Sequence, residues 1–280
     1  MSLKENSILV KLKVSQWTAR KYDRNISDEL TTKHNASHDY ARVNKVLVDI
    51  QEIKKITKSA NEIRNFHNTN TLPWMQDGIG ILPIANHSKY IEGMRQLKTK
   101  FQEQVESFQR QYEHLVSTAQ VKLGSMFDPS DYPSSSSIAD KFSIDVDMFP
   151  IPDSKDFRVD LDEDIINDMK KNLESKIKDA QEEAMKDLWN RLYGTVTHMA
   201  EKLTDPSSRF KNSLVGNIDD LVKLLPKLNV SNDPNLENMR KEVANKLSAY
   251  DPEDLRTDKK VRSQAAQEAK DIVDKMKGFM

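Results

Sequence analysis

The sequence predicts a mainly helical α+β protein of elongated form, in which a long antiparallel helical hairpin of coiled-coil character and a C-terminal helical bundle accompany a small β-sheet. Three observations lead there. Between Ser88 and Leu123 the chain has no proline and Gly93 as its one glycine, and Met94, Leu97, Phe101, Val105, Phe108 and Tyr112 recur at steps of three and four, a seam on one helix. A second such run, with Ile165, Met169, Leu173, Ile177, Leu188 and Leu192, extends from Asp162 to Thr204. By contrast, the stretches 8–14, 142–149 and 157–161 alternate apolar with polar residues, the two-residue period of half-buried strands.

In chain order, the first strand carries Val10, Leu12 and Val14 on one side and Lys11 and Lys13 on the other. Ser15 then reads as a helix cap, and a helix from Gln16 would carry Trp17, Tyr22, Ile26 and Leu30 into the polar segment TTKHNASH. A longer helix is expected from Asp39 to Phe66, on a stripe that includes Tyr40, Val43, Val46, Ile50, Ile56 and Ile63. It resembles the Ser88 helix in length, so the two are expected to pack antiparallel at a shallow angle as a stalk. The segment joining them, NTNTLPWMQDGIGILPIAN, is too apolar for a solvated linker. Its Leu72, Trp74, Ile79 and Ile81, stiffened by Pro73 and Pro83, either tuck against the helices or meet a partner.

After Gly124, placed as a helix-terminating glycine, SMFDPSDYPSSSS reads as a mobile boundary. The strands 142–149 and 157–161 would join 8–14 in a three-stranded sheet, closing residues 1–280 into a single unit with subregions 1–38, 39–124, 125–161 and 162–280. Asp162, Glu163 and Asp164 suit the first turn of the next helix, and Gly194 marks a bend in it. Shorter helices are expected over 206–225, 234–248 and 258–277, with aspartate–proline start signals.

Composition narrows the function. Lys and Arg number 43 against 44 Asp and Glu, so the net charge of −1 provides no strong overall field for nucleic acid or anionic membrane. The absence of cysteine excludes disulfides, thiolate metal sites and cysteine nucleophiles, and fits a reducing cytoplasm. No apolar run approaches the ~18 residues of a membrane span, and the N-terminal apolar run is too short for a signal peptide, so a soluble protein without membrane contact is expected. His34 and His38 have a metal-like spacing but lack the glutamate of a zincin and a third ligand; no metal and no cofactor is expected. The remaining histidines, His67 among them, are assigned surface or capping roles. Gly78-Ile79-Gly80 lacks both the lysine of a phosphate loop and a preceding strand, no serine sits in a nucleophile elbow, and the acidic pairs suit strand alternation and helix capping. Enzymatic activity is therefore not expected. Arg20, Lys21 and Arg24, interleaved with Trp17 and Tyr22, offer phosphate contacts and stacking rings, against the plainer reading of a solvated face with its aromatics in the core.

Three segments, QWTARKYDRNIS, NFHNTNTLPWMQDGIGILPIANHSKYIEGMR and MKDLWNRLYGTVTHMAEKLTDPSSRF, resemble an uncharacterised family of tailed-phage and prophage proteins, with anchors from Gln16 to Phe210. The resemblance implies a phage protein acting in the host cytoplasm and carries no catalytic residues. Together these readings predict a non-enzymatic interaction or assembly protein, self-associating, that holds a phage or host protein through the helical stalk and the Leu72, Trp74, Ile79 and Ile81 loop. The alternative is a nucleic-acid-binding accessory factor in phage DNA replication or recombination, using Arg20, Lys21 and Arg24.

Overall fold

The computed structural model describes residues 3–76, 78–156 and 162–279 and has the mainly helical α+β class that the sequence predicts. One turn of helix, α1 (Leu3–Asn6), leads into the nine-residue strand β1 (Ser7–Ser15). A short ribbon and helix follow as β2 (Arg20–Asp23), α2 (Arg24–Lys33) and β3 (Val43–Val46). Two long helices, α3 (Ile50–Asn70) and α4 (Ile84–Leu123), are joined by β4 (Leu72–Pro73) and β5 (Ile79–Pro83). After a series of 3-10 turns comes β6 (Ser143–Phe149), and then α5 (Glu163–Thr204), α6 (Ser213–Leu228), α7 (Pro234–Leu247), α8 (Asp254–Thr257) and α9 (Lys259–Met276).

The chain divides into two compact units, neither of them continuous in sequence. One unit comprises Met1–Lys11, Asn68–Tyr90 and Asp147–Met280; the other comprises Leu12–His67 and Ile91–Val146.

The principal sheet has the strand order β4-β5-β1-β6. The pairing of the N-terminal strand with the 142–149 strand is as expected, while the strand expected at Phe157–Leu161 lies outside the described residues. The other neighbour of β1 is β5, antiparallel, with Ser7 opposite Pro83, Leu9 opposite Ile81 and Lys11 opposite Ile79. This corrects the reading of residues 68–86 as a connection. Gly80, Ile81, Leu82 and Pro83 are all buried, and a strand covered on both faces has no polar alternation to reveal it. Leu9, Leu72 and Ile81 share one core with Ala184, Leu188 and Leu192 of α5, and the same core runs on through α6, α7 and α9. The helix expected from Pro206 begins instead at Ser213, and α5 continues through Gly194 without interruption.

In the second unit, α3 and α4 run antiparallel: Glu62 meets Lys100 at 2.6 Å, and Phe66 lies against Gly93. The expected seam of α4 is buried at Met94, Phe101, Val105, Phe108 and Tyr112. An aromatic cluster completes it, with Trp17 centroids 6.3 and 6.0 Å from Phe108 and Tyr112, and Phe142 5.8 Å from Phe108. The helices expected from Gln16 and Asp39 are corrected. Residues 20–23 and 43–46 form an antiparallel ribbon, with Arg20 opposite Val46 and Tyr22 opposite Asn44, and the long helix starts only at Ile50. Asp49 begins it, accepting from the Gln51 backbone N–H at 2.8 Å.

The inward residue of β3 is Lys45, whose Nζ lies 2.6 Å from Asp131 and 3.4 Å from Asp23 and donates to the Met126 carbonyl at 3.1 Å. The hydrogen bond to Asp131 raises the Lys45 pKa against the opposing effect of burial. Asp131 belongs to the Ser/Pro-rich segment expected to be mobile, which is instead pinned. Tyr112 Oη donates to the Pro133 carbonyl at 2.9 Å, Gln109 Nε2 to the Ser135 carbonyl at 3.2 Å, and Ser135 Oγ to Glu113 at 2.8 Å.

His67 is buried rather than on the surface, and desolvation lowers its pKa to about 4. An unfolded imidazole protonates near pH 6.5. Between those values the unfolded chain binds the extra proton, so stability present above pH 6.5 is lost as the pH falls toward 4, by about 3 kcal/mol. Urea melts from pH 7 to 4.5 should show this loss, and His67→Gln should flatten it. A second expectation concerns helix packing. A Cβ on Gly93 would lie 2.3 Å from Phe66 Cζ, whereas one on Gly194 would meet nothing within 4 Å. Gly93→Ala should destabilise by about 1–3 kcal/mol, and Gly194→Ala should stabilise by about 0.5–1 kcal/mol, both read by denaturant melts.

Candidate protein-interaction site

Two glycines and the donors to three carbonyls hold the segment around β4 and β5 in place. Gly78 takes a positive φ of 76° in the turn before β5. A Cβ on Gly80 would come within 2.6 Å of Thr71 Oγ1, so a side chain there would separate β4 from β5. The pattern GIG thus serves the hairpin. Arg191, on α5, anchors it. Its guanidinium donates to the carbonyls of Asn68 (3.1 Å), Thr69 (2.9 Å) and Thr71 (2.9 Å), while its Nε faces Asp187 at 2.7 Å. These are carbonyls that the end of α3 leaves without helical donors, and a cation is favoured there by the helix dipole. Asn86 Nδ2 adds a bond to the Asn70 carbonyl at 3.0 Å.

The four residues expected to meet a partner separate into two classes. Leu72 and Ile81 are 1% and 0% exposed and belong to the core, so their apolar surface is spent within the protein. Ile79 and Trp74 pack against that core while remaining partly exposed. Trp74, with Pro73 and Met75, walls an open groove of about 540 Å³ whose opposite side is Lys176, Asp179, Ala180 and Glu183 of α5.

The first three turns of α5 extend that groove side without being buried. Ile165 and Met169 are 47% and 38% exposed, whereas the same helix is buried from Ile177 onward at Ala180, Ala184 and Leu188. Asp162, Ile165, Met169, Leu173 and Lys176 recur at steps of three and four, so they form one stripe, acidic at its start, apolar in its middle and basic at its end. Sequence periodicity placed Ile165, Met169 and Leu173 on one helical seam with Ile177 and Leu188, without separating its exposed turns from its buried ones. The available signal was the density of charge around it, with Asp164, Asp168, Lys170 and Lys171 flanking the apolar positions.

The cationic cluster is placed differently. Arg20, Lys21 and Arg24 are exposed on the β2–α2 segment, with Lys21 at 4.0 Å from Asp131 and Arg24 at 3.7 Å from Asp28. Arg42 lies over the Tyr22 ring at 5.2 Å. Trp17 is half-buried and packs against Phe108 and Tyr112. His34 and His38 do not converge. His34 is the C-cap of α2, Asn35 turns the chain at φ 51°, and His38 Nδ1 sits 3.2 Å from Asp28. Among the described residues no group of three histidine or acidic side chains could hold a metal, and no helix is long and apolar enough to cross a membrane.

No protein-family model, characterised protein or solved structure matches the chain.

The hairpin's position depends on a planar donor set that a lysine cannot reproduce. Arg191→Lys should therefore cost about 2 kcal/mol in denaturant melts, with added hydrogen exchange at the hairpin amides.

Proposed function

We propose that this is a non-enzymatic phage assembly protein of the host cytoplasm that associates with itself through the first half of α5 and the adjoining Trp74 groove. The observation that carries this reading is the exposed stripe from Asp162 to Lys176, whose charges are self-complementary. Two copies of α5 laid antiparallel about a two-fold axis at Met169 would set Asp162 of one copy opposite Lys176 of the other, with Ile165 opposite Leu173 and Met169 against itself. Such an isologous arrangement uses one patch twice and forms two identical ion pairs at the ends of an apolar centre. The groove supports it from the side, because Trp74 and Met75 border Lys176, where the second helix would enter. The phage origin and the cytoplasmic location rest on the resemblance of the three sequence segments. The non-enzymatic reading rests on the lack of catalytic motifs in the sequence.

Sedimentation equilibrium of the full chain is the test. Wild type should show a concentration-dependent mass approaching twice that of one chain, and Met169→Asp should reduce it to a monomer while circular dichroism stays unchanged. Asp162→Lys and Lys176→Asp should each weaken association several-fold, and their combination should restore it. A wild type that stays monomeric at every accessible concentration, or a mass indifferent to all these substitutions, would sink the reading.

A second reading has one observation in its favour, the exposure of Arg20, Lys21 and Arg24 beside the Arg42–Tyr22 pair. A nucleic-acid-binding role predicts a steep fall of affinity for single-stranded DNA with salt, shallower by about one ion per cation removed. Filter binding that detects no complex at low salt would eliminate it.

A further inference from the structure

The C-terminal end of α5 is closed from α9. Arg262 Nε donates to the Leu203 carbonyl at 3.0 Å, and its Nη2 donates to the carbonyls of Lys202 (2.9 Å), Asp205 (2.6 Å) and Ser208 (3.1 Å). Phe210 receives two guanidinium groups, Arg262 at 5.4 Å and Arg256 at 5.3 Å from its ring centroid. Arg256 also donates to Glu253 at 3.0 Å and to Asn212 Oδ1. Beside this closure lies a cavity of about 490 Å³, within the size range of small-molecule sites. Its polar lining includes Arg256, Lys259, Arg262, Ser263, Gln267 and Lys270, four cations with no carboxylate among the lining residues.

Several acids nearby are already engaged, while Glu201, Asp205 and Asp274 line an adjoining groove together with Lys270. Glu253 pairs with Arg256; Asp258 accepts from the Lys260 and Val261 backbone N–H groups; Asp271 accepts from Gln267. Asp205 is held below the usual carboxylate range first by the Ser207 hydroxyl and amide, with Arg262 contributing. Arg262 is answered at hydrogen-bond distance by carbonyl oxygens, with the Asp205 carboxylate offsetting part of its charge from farther away. Among the described residues no carboxylate lies within ion-pair distance of Lys259 or Lys270. Lys259 opens α9, where the helix dipole adds further positive potential. The cavity lining thus carries four cations of which one, Arg256, has a carboxylate at ion-pair distance among the described residues.

We infer that this cavity binds a small molecule bearing a chain of phosphates. Lys259 and Lys270 stand eleven residues apart on one helix, about 16 Å along its axis and three turns apart on one face. A single orthophosphate is too short to touch both ends of such an arrangement, and a chain of phosphates engages more of the lining cations, with Arg262 and Ser263 between the two lysines in the chain.

Isothermal titration of the full chain with tripolyphosphate and with orthophosphate at low salt tests this. Tripolyphosphate should bind at least about tenfold more tightly than orthophosphate, and Lys259→Gln and Lys270→Gln should each weaken it about tenfold without shifting the melting temperature. Arg262 is left intact, since it holds the end of α5. Absence of tripolyphosphate binding, or binding unchanged in the Lys259→Gln/Lys270→Gln double variant, would overturn the assignment. Tighter binding of a short single-stranded oligonucleotide than of tripolyphosphate, lost in the same double variant, would also overturn it by making the face a nucleic-acid contact.

Discussion

An α-helix ends on carbonyl groups that have lost their donors, and much of the first unit follows from how two such ends are answered. In both cases the donor is an arginine from another helix. Arg191 takes the carbonyls where α3 gives way to β4, and Arg262 takes those where α5 gives way to the turn before α6. A guanidinium suits the task because its donors diverge in a plane while its charge meets the negative end of the helix dipole. Because Arg191 fixes Thr71, the hairpin that carries Trp74 has a defined place beside α5, and the groove exists. Because Arg262 fixes residues 202–208, the cationic cavity has a wall. Each surface feature is the outer side of an internal hydrogen-bond requirement.

The second unit meets a similar requirement with a buried cation. Lys45 points inward from β3, where an apolar side chain would ordinarily face the core, and two carboxylates and a carbonyl surround it. Burying an ammonium is costly unless it is paired, so the pairing constrains its partners as much as it relieves the lysine. Asp131 must be delivered to that point, and the Ser/Pro-rich segment is accordingly ordered around it. Tyr112 and Gln109 hold the same segment to α4. The seam of α4 and the unusual composition of residues 125–137 are parts of one packing solution.

What could be read from the sequence follows from how far each signal extends along the chain. The long helices were legible because forty residues repeat one period many times, and β1 and β6 because their alternation is clean. The β2–β3 ribbon was not, since four residues cannot establish a period and its inward residue is a lysine. Nor was β5, whose neighbours bury both faces. Asp131 and Arg191 could not have been assigned from local pattern, because the groups that give them meaning lie 86 and 120 residues away in the chain. At the candidate site the sequence singled out Trp74 but did not separate it from Leu72 and Ile81, which lie in the core. The difference between groove wall and core is set by α5, which approaches from a distant part of the chain. The exposure of Ile165 and Met169 likewise depends on which turns of α5 find something to cover them.

The interleaving of segments also has a consequence in time. During synthesis the chain emerges from its N-terminus, and the last residue that the second unit requires is Val146. The first unit must wait for α9, since Ile272 and Met276 belong to its core, although its opening strand is made before the helices of the second unit. Residues 7–11 therefore spend most of translation without the helices that will cover Leu9, tethered to a neighbour able to finish early. Long-range closures of this kind are slow, and an apolar strand left waiting is exposed to misassociation. The two lysines within β1, Lys11 and Lys13, place charge along that strand while it waits, a feature of its sequence that acts before any native structure exists.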